Sequence, residues 1–394
     1  MTPFYREYLD TEINRRGTHC VKWDNAAEIF GREDLEAAWV ADMDWRTSPA
    51  IIEAIQARAA HGIFGYTDDV DEARAAEVGW LKRRHGLDVD PKWILSSPGV
   101  VDSLYICVRE MTGPDDAVLV QPPVYGPFYH AAETFGRRIV RSPLTETADG
   151  WRIDFDDLDR KMADGVKMMI LCNPHNPVGR VWTREELQQV VDLANRHGVI
   201  LVSDEIHADF AFDGRHTTRI LSLEHTDSCV MLTSATKSFN IAGLRNSSCI
   251  IANEALRRQF EDGLNKNHAH SANLFGAVAQ KAAYTRGDEW LDAVLEYIRE
   301  NRDFAVDYVN ERIPGVTARP QESTYVMWLD FRGTGLSDDG IRDVLINRAH
   351  VALSDGRSFG EEGSGFVRMI IAQPRVSVAR ILGRIEAALR EAQP

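Results

Sequence analysis

The stretch Ser234-Ala-Thr-Lys-Ser-Phe-Asn-Ile-Ala-Gly-Leu-Arg245 sets a lysine, Lys237, just past an apolar strand, between hydroxyl residues and eight positions before an arginine. An amine flanked by Ser234, Thr236 and Ser238 and followed by Arg245 suits a nucleophile that works beside a bound anion. Four other segments carry residues of matching chemistry. Ser97-Pro-Gly-Val-Val101 turns from a short strand into a helix, so the N–H groups of Gly99, Val100 and Val101 sit where a helix start favours phosphate. Tyr125 lies on Gln121-Pro-Pro-Val-Tyr-Gly-Pro-Phe128, where three prolines fix φ and hold the ring as a flat wall. Asn173-Pro-His-Asn-Pro-Val-Gly179 offers the amide of Asn176, and Ser203-Asp-Glu-Ile-His207 offers the carboxylate of Asp204 and the imidazole of His207. Read singly, each has an ordinary alternative: a turn, a core aromatic, a helix cap, a solvated arginine. Their shared placement after strands gives the joint reading its weight.

Placing these groups together requires strands that end at one edge. The run 166–172 reads as a strand, followed by a helix from Thr183 with a Thr183/Glu186 capping box and an apolar stripe of Leu187, Val190, Val191 and Ala194. That helix stops at His197-Gly198, and 199–203 is a continuous apolar strand, which completes a βαβ unit and predicts a largely parallel sheet. In such sheets ligands gather beyond the C-terminal strand ends, where Asn176, Asp204 and Lys237 fall. Further strands are expected at 93–96, 117–120, 137–140 and 230–233, with 150–159 as a connection; the short link to 246–252 suits an antiparallel strand. Helices are expected from Pro49 to His61-Gly62, over 71–85, after Gly99 and through 254–312. A strand at 323–331, a helix at 341–349, the turn Asp355-Gly356 and a strand at 366–371 mark a second α/β domain. The fold class is therefore α/β: a large domain with a mostly parallel central sheet flanked by helices, plus a smaller α/β C-terminal domain. The expected boundaries are an N-terminal arm at 1–47 packing with the small domain, a large cofactor-binding domain at 48–287 and the small domain at 288–394.

A pyridoxal phosphate (PLP) enzyme needs this set of groups. Its aldehyde needs a lysine and its ring nitrogen a carboxylate that keeps it protonated, roles open to Lys237 and Asp204. Asn176 supplies a donor for the ring oxygen, the 99–101 turn supplies N–H groups for the phosphate, Ser234 and Thr236 supply hydroxyls, Arg245 a cation and Tyr125 a wall. The segments 97–101, 173–179, 203–207 and 234–244 resemble the fold-type I aminotransferase superfamily. Ala41-Asp-Met-Asp-Trp45, Phe64-Gly-Tyr-Thr67, His207, Leu353-Ser-Asp-Gly356 and Phe359-Gly360 resemble its MalY/PatB branch of cystathionine β-lyases, or C–S lyases. The likeness runs from about residue 20 to the C-terminus. It implies a fold-type I PLP-dependent transferase and a homodimer with shared active sites, in which Tyr66 reaches the phosphate and reacting centre of the neighbouring subunit. It also implies that Arg368 grips a substrate α-carboxylate through a bidentate pair that lysine could not reproduce. His207 joins the cofactor's surroundings, Trp45 the substrate's, and Asn176 both.

Composition narrows the function. With 394 residues, 44% hydrophobic and 27% charged, the chain exceeds the range in which one core keeps growing. A net charge of −15 argues against wholesale binding to nucleic acid or anionic membrane. No apolar run approaches the ~20 residues that span a bilayer, and a start containing Arg6, Glu7, Asp10 and Glu12 lacks a secretory h-region, so a cytoplasmic protein is expected. Cys20, Cys107, Cys172, Cys229 and Cys249 read as reduced and mostly buried. His268 and His270 invite a metal pair, but no further ligands accompany them and no metal is expected. The first functional expectation is β-elimination from an S-substituted L-cysteine, giving thiol, pyruvate and ammonia. Transamination uses the same residues. Where the family usually reads Leu-Asn-x-Ala-Cys-Pro-Arg, this chain has Met369-Ile-Ile-Ala-Gln-Pro-Arg375. The departures at Ile370 and Gln373, with the polar loop 265–271, leave open a larger thioether of secondary metabolism and a decarboxylating variant. A non-catalytic PLP-binding regulator is the reading from another class.

Overall fold

The computed structural model describes residues 1–68, 70–269 and 273–392. The chain divides into two units. The larger holds 47–175 and 180–291; the smaller holds 1–46, 176–179 and the residues from 292 on.

The larger unit is built on seven strands: β1 Ile94–Ser97, β2 Ala117–Val120, β3 Arg138–Arg141, β4 Val166–Cys172, β5 Ile200–Asp204, β6 Cys229–Thr233 and β7 Ser247–Ile250. Their spatial order is β1-β7-β6-β5-β4-β2-β3. Strand β7 runs antiparallel to both of its neighbours and all other pairs are parallel, which fits the short link between β6 and β7. Every residue of β2, β5 and β6 is buried, because helices cover both faces and each strand can be apolar throughout. Val118, Val120, Ile170, Val202, Val230 and Leu232 pack with Leu104 and Val108 of the helix Val100–Met111 and with Phe260 of the helix Glu254–Lys266. Each such side chain contributes roughly 1.5–3 kcal/mol by leaving water. The helix Arg184–His197 starts at the expected Thr183/Glu186 capping box and stops at Gly198, whose φ of 66° closes it in the left-handed region.

The smaller unit carries β8 Thr317–Ala318, β9 Val326–Asp330, β10 Ser354–Asp355 and β11 Phe366–Ile370, all antiparallel, in the order β8-β9-β11-β10. The first residues of the chain are woven into it. Glu36–Ala37 pairs in parallel with Val351–Ala352. The Ala38 N–H donates to the Ala352 carbonyl at 2.9 Å, the Ala38 carbonyl accepts from Ile370 N at 2.9 Å, and Asp44 N donates to Ala372 O at 3.0 Å.

Several elements differ from expectation for local reasons. The segment 150–159 is not a plain connection: Gly150–Arg152 forms a hairpin with Thr145–Thr147, and a helix Phe155–Ala163 starts at Asp154, whose side chain accepts from Asp157 N. Leu158 and Met162, one turn apart, fix that helix to the core. The arm contains helices at Pro3–Asp10, Val21–Asp24 and Ala26–Phe30. The region 254–312 is three helices, since Asn253 and Asn273 each cap a new one ahead of Asp288–Arg312. The helix expected at 341–349 begins earlier, at Asp338 behind the Ser337 cap, and its second half, Val344–Arg348, is a π-helix. Among the described residues no helix is long and apolar enough to cross a membrane.

Gly179 anchors the segment 176–179 within the smaller unit. Its carbonyl accepts from Glu322 N and Ser323 N, both at 3.0 Å, and its φ is +70°. A Cβ there would lie 2.3 Å from Cβ of Gln321. Gly179→Ala is therefore expected to destabilise the protein by about 2–4 kcal/mol, the sum of a left-handed alanine and overpacking. Urea unfolding measures this, and an unchanged midpoint would contradict the packing described.

Candidate active site

In the larger unit, the ends of β5 and β6 lie side by side, with Asp204 opposite Leu232. Asp204 is buried, and one of its oxygens accepts from Ile206 N at 3.1 Å. Burial pushes its carboxyl up to about 6, against the pull of that N–H and of the Lys237 charge. Past the end of β6, Ser234 caps the short helix Ala235–Ser238, its Oγ accepting from Thr236 N at 3.0 Å. The same hydroxyl sits 2.8 Å from Thr236 Oγ1 and 2.7 Å from the Asn246 carbonyl, so Ser234 and Thr236 shape the turn that presents Lys237, itself half-buried.

Two further groups brace that turn. Thr47 Oγ1 donates to the Phe239 carbonyl at 2.6 Å, and Ser238 Oγ donates to Asp209, which also receives Nε2 of His85 at 2.8 Å. Burial raises the Asp209 carboxyl, but its bond to His85 and the charges around it outweigh burial and hold it near 2.

Gly99 is the cap of the helix Val100–Met111, so the N–H groups of 99–101 sit at a helix start. A Cβ on Gly99 would come 2.5 Å from Oδ2 of Asp102; an anionic oxygen already approaches the backbone there as closely as only glycine permits. Arg245, held at φ 44°, pairs with Asp102 at 3.0 Å, which places the expected phosphate cation at that helix start. A cavity of about 390 Å³ is lined by Ser96, Ser97, Pro98, Arg245, Asn246 and Asn273 among others. Tyr125 is half-buried with its ring edge-on to Phe128, His207 is buried against Phe210, Val100 is buried and Val101 half-exposed. Tyr66 is fully exposed, as are most of Ile63 and Phe64 beside it.

In the smaller unit, Arg368 stands on β11 directly opposite Trp328 and is only 5% exposed. Its guanidinium donates to the Trp39 carbonyl at 2.8 Å, to Ser354 Oγ at 3.3 Å and to Oδ1 of Asn176 at 3.3 Å. It also lies 4.8 Å from the centre of the Phe359 ring. Those three acceptors carry no formal charge. Trp45 is buried in the arm, with Nε1 donating to the Leu9 carbonyl at 2.7 Å and its ring 5.2 Å from Tyr297. The departures from the family stretch are structural here. Ile370 is buried in β11, and Gln373 turns back to donate to the Ile370 carbonyl at 2.9 Å.

Sequence reasoning missed three residues. Glu205 is buried and accepts from Ser203 Oγ at 2.9 Å, Asn173 Nδ2 at 3.2 Å and Ile220 N at 2.8 Å; its other oxygen is 2.8 Å from Nε of Arg219. It thereby fixes the chain on both sides of Asp204. Trp39 and Ser354 hold Arg368. The acid directly beside Asp204 was the only signal for Glu205, and nothing local marks Trp39. Among the described residues no group of His, Cys, Asp and Glu could hold a metal ion; His270 lies outside them.

The larger-unit residues fit a phosphorylated, nitrogen-containing aromatic aldehyde. They offer an amine, a buried carboxylate whose raised pKa calls for a cation, and a helix start with an arginine that already receives an anionic oxygen. Comparison with known proteins agrees. Residues 40–385 match the family model for aminotransferase class I and II. This chain belongs to that family. Among the family's curated members it is 42% identical to cystathionine β-lyase PatB of Bacillus subtilis, over 97% of this chain and 99% of the relative. It is 35% identical to the protein MalY of Escherichia coli, over 96% and 97%. Solved structures of the family include cystalysin from Treponema denticola, which contains pyridoxal 5′-phosphate (TM-score 0.95, 31% identity, 98% of this chain and 99% of that one). A PLP-bound C–S lyase from Staphylococcus hominis superimposes with a TM-score of 0.90 at 32% identity, covering 98% and 100%.

Asp204 yields a pH test. A carboxyl whose pKa is higher folded than unfolded binds its proton more tightly when folded, so its stabilising contribution is present below about pH 4 and is lost as pH rises through about 6. Without cofactor, Asp204→Asn is expected to be more stable than the parent at pH 7, on the order of 2 kcal/mol, with the gap closing below about pH 4. With cofactor the order reverses, because the amide cannot pair with a ring cation. Denaturant midpoints across pH check this, and a variant less stable at pH 7 without cofactor would count against the buried-carboxylate account.

Proposed function

We propose that the protein is a PLP-dependent C–S lyase that carries out β-elimination on an S-substituted L-cysteine of the cystathionine type, releasing thiol, pyruvate and ammonia. The observation that carries the reading is the pairing of a half-buried Lys237 with the buried Asp204 at adjacent strand ends, in a chain so similar to cystathionine β-lyase PatB. When bound, PLP supplies a protonated aromatic ring that accepts electron density from the substrate's α-carbon. Lys237 would hold the cofactor through its amine, and the same amine would be the base for the substrate's α-proton. Asp204 keeps the ring nitrogen protonated, and its raised pKa makes it a ready partner for that proton. The N–H groups of Gly99, Val100 and Val101, with Arg245, would hold the phosphate, and the turn of Ser234 and Thr236 would present Lys237. Tyr125 and His207 bound the ring. Asn176 takes Arg368 on its oxygen, which gives its amide nitrogen the role of donor to the ring oxygen. Arg368, buried and held by the Trp39 carbonyl, Ser354 and Asn176, takes the substrate α-carboxylate in a bidentate pair. Trp45 supports the substrate region through packing.

The working protein is read as a cytoplasmic homodimer. Five cysteines, all free thiols, support a reducing compartment. The exposed Ile63, Phe64 and Tyr66 support a second copy covering this segment, with Tyr66 completing the neighbouring subunit's active site. The domain reading is an arm at 1–47 serving a small domain at 288–394, and a cofactor domain at 48–287; the grouping of 1–46 with the chain from 292 on supports it.

Lys237→Ala is expected to lose the visible absorption of the lysine-linked cofactor and to lower turnover of L-cystathionine by roughly 10²–10⁴-fold or more. Absorption spectra and thiol release measure both. An unchanged spectrum would show that another amine carries the cofactor.

A further inference from the structure

The arm of the smaller unit holds four charges in one place. Lys22, wholly buried on the short helix Val21–Asp24, sets Nζ 2.9 Å from Oδ2 of Asp44, 3.0 Å from Oδ1 of Asp42 and 3.0 Å from the Asp42 carbonyl. Arg15 pairs with the same two carboxylates, at 2.6 Å to Asp44 and 2.7 Å to Asp42, and Nε1 of Trp23 donates to Asp44 at 3.0 Å. Buried ion pairs are a poor way to gain stability, since apolar residues of like volume often serve as well; their best-supported use is to fix one register. The register fixed here leads to Arg368. The main-chain carbonyl of Lys22 accepts from Nε1 of Trp39 at 2.9 Å. The carbonyl of Trp39 accepts from Arg368 at 2.8 Å and from Ser354 Oγ at 3.0 Å, and Ser354 Oγ itself lies 3.3 Å from Arg368. On either side of Trp39 the backbone is clamped to the small sheet, by Ala38 to Ala352 and Ile370 and by Asp44 to Ala372.

We propose that Lys22 and Trp39 are positioning residues for substrate recognition: the Lys22 cluster fixes the Trp39 ring, and the Trp39 carbonyl aims the Arg368 fork at the substrate carboxylate. The inference rests on the reading of Arg368 as the carboxylate-binding residue. It goes beyond that reading by making the N-terminal arm part of the specificity apparatus for α-amino acids. Ser354 is the second member of the brace, bonded to both the arginine and the carbonyl that aims it.

The test is a double-mutant cycle on the holoenzyme with L-cystathionine, using Trp39→Phe, Arg368→Lys and the two combined. Trp39→Phe removes the Nε1 donor while keeping a ring and the carbonyl; it is preferred because Lys22→Met takes the amine from the buried Asp44 and the partly exposed Asp42, leaving only Arg15 to pair with them, and can abolish folding. Trp39→Phe is expected to raise KM about 2- to 10-fold, the size of one neutral hydrogen bond, with kcat within about twofold and cofactor absorption unchanged. Arg368→Lys is expected to raise KM further, and the double variant to be no worse than Arg368→Lys alone, because both changes break one interaction. Ser354→Ala should follow the same pattern with a smaller effect. A Trp39→Phe enzyme with unchanged KM, or one whose factor multiplies in full onto that of Arg368→Lys, overturns the proposal. An Arg368→Lys enzyme with unchanged KM overturns the reading of Arg368 instead, and the inference with it.

Discussion

Keeping the Asp204 carboxylate out of water costs free energy, and the larger unit is arranged around that cost. Strand β5 carries the group to its C-terminal end between β4 and β6, where parallel packing leaves no room for solvent. One backbone N–H does not offset burial, so the carboxyl rises to about 6. Such a group is best satisfied by a cation held against it, which is what a protonated pyridine ring provides. Glu205, one residue on, meets the same difficulty differently: with Arg219 and three hydrogen bonds it is a closed structural pair. Adjacent acids thus divide into a brace and a working group, and the working one is the acid with fewer partners.

The turn that bears Lys237 is rigid for related reasons. Ser234 caps it, Ser238 is tied to Asp209, and the carbonyl of Phe239 is held by Thr47. The role proposed for Lys237, attaching a cofactor and taking a proton from a substrate carbon, needs a fixed base and a mobile tip, and lysine on a capped short helix has both. The smaller unit follows the same logic with the opposite sign. Arg368 is a buried cation bonded to the Trp39 carbonyl, Ser354 and Asn176 beside an aromatic face, and in the proposed reading it meets the substrate carboxylate. In the proposal above its orientation derives from an N-terminal arm in which Lys22 and Arg15 pair with Asp42 and Asp44.

Much of this was legible in the sequence wherever a local pattern carried the information. The Thr183/Glu186 capping box, the apolar runs of β4 and β5 and the Pro98-Gly99 turn announce their own geometry, and Asp204 and Lys237 are found by counting past strand ends. What could not be read depends on partners far apart along the chain. Trp39 meets Arg368 more than three hundred residues away, and Arg219 meets Glu205 across an irregular loop; neither pairing leaves a periodic trace. Arg245 was marked as a phosphate cation without any sign that Asp102 shares it. Trp45 belongs to the Ala41–Trp45 segment that carries the family resemblance; its indole N–H donates to the Leu9 carbonyl, and the tryptophan whose carbonyl meets Arg368 is Trp39. The hairpin at 145–152 was hidden because its strands are three residues each, too short for alternation to show.

The central claim is that a carbon–sulfur bond is the one that breaks. Incubating the holoenzyme with L-cystathionine and quantifying every product tests it most directly. The account predicts thiol, pyruvate and ammonia in equal amounts over many turnovers, with the cofactor recovered in its starting form. Formation of the keto acid of the intact thioether, with the cofactor left as its amine and no thiol released, would contradict it.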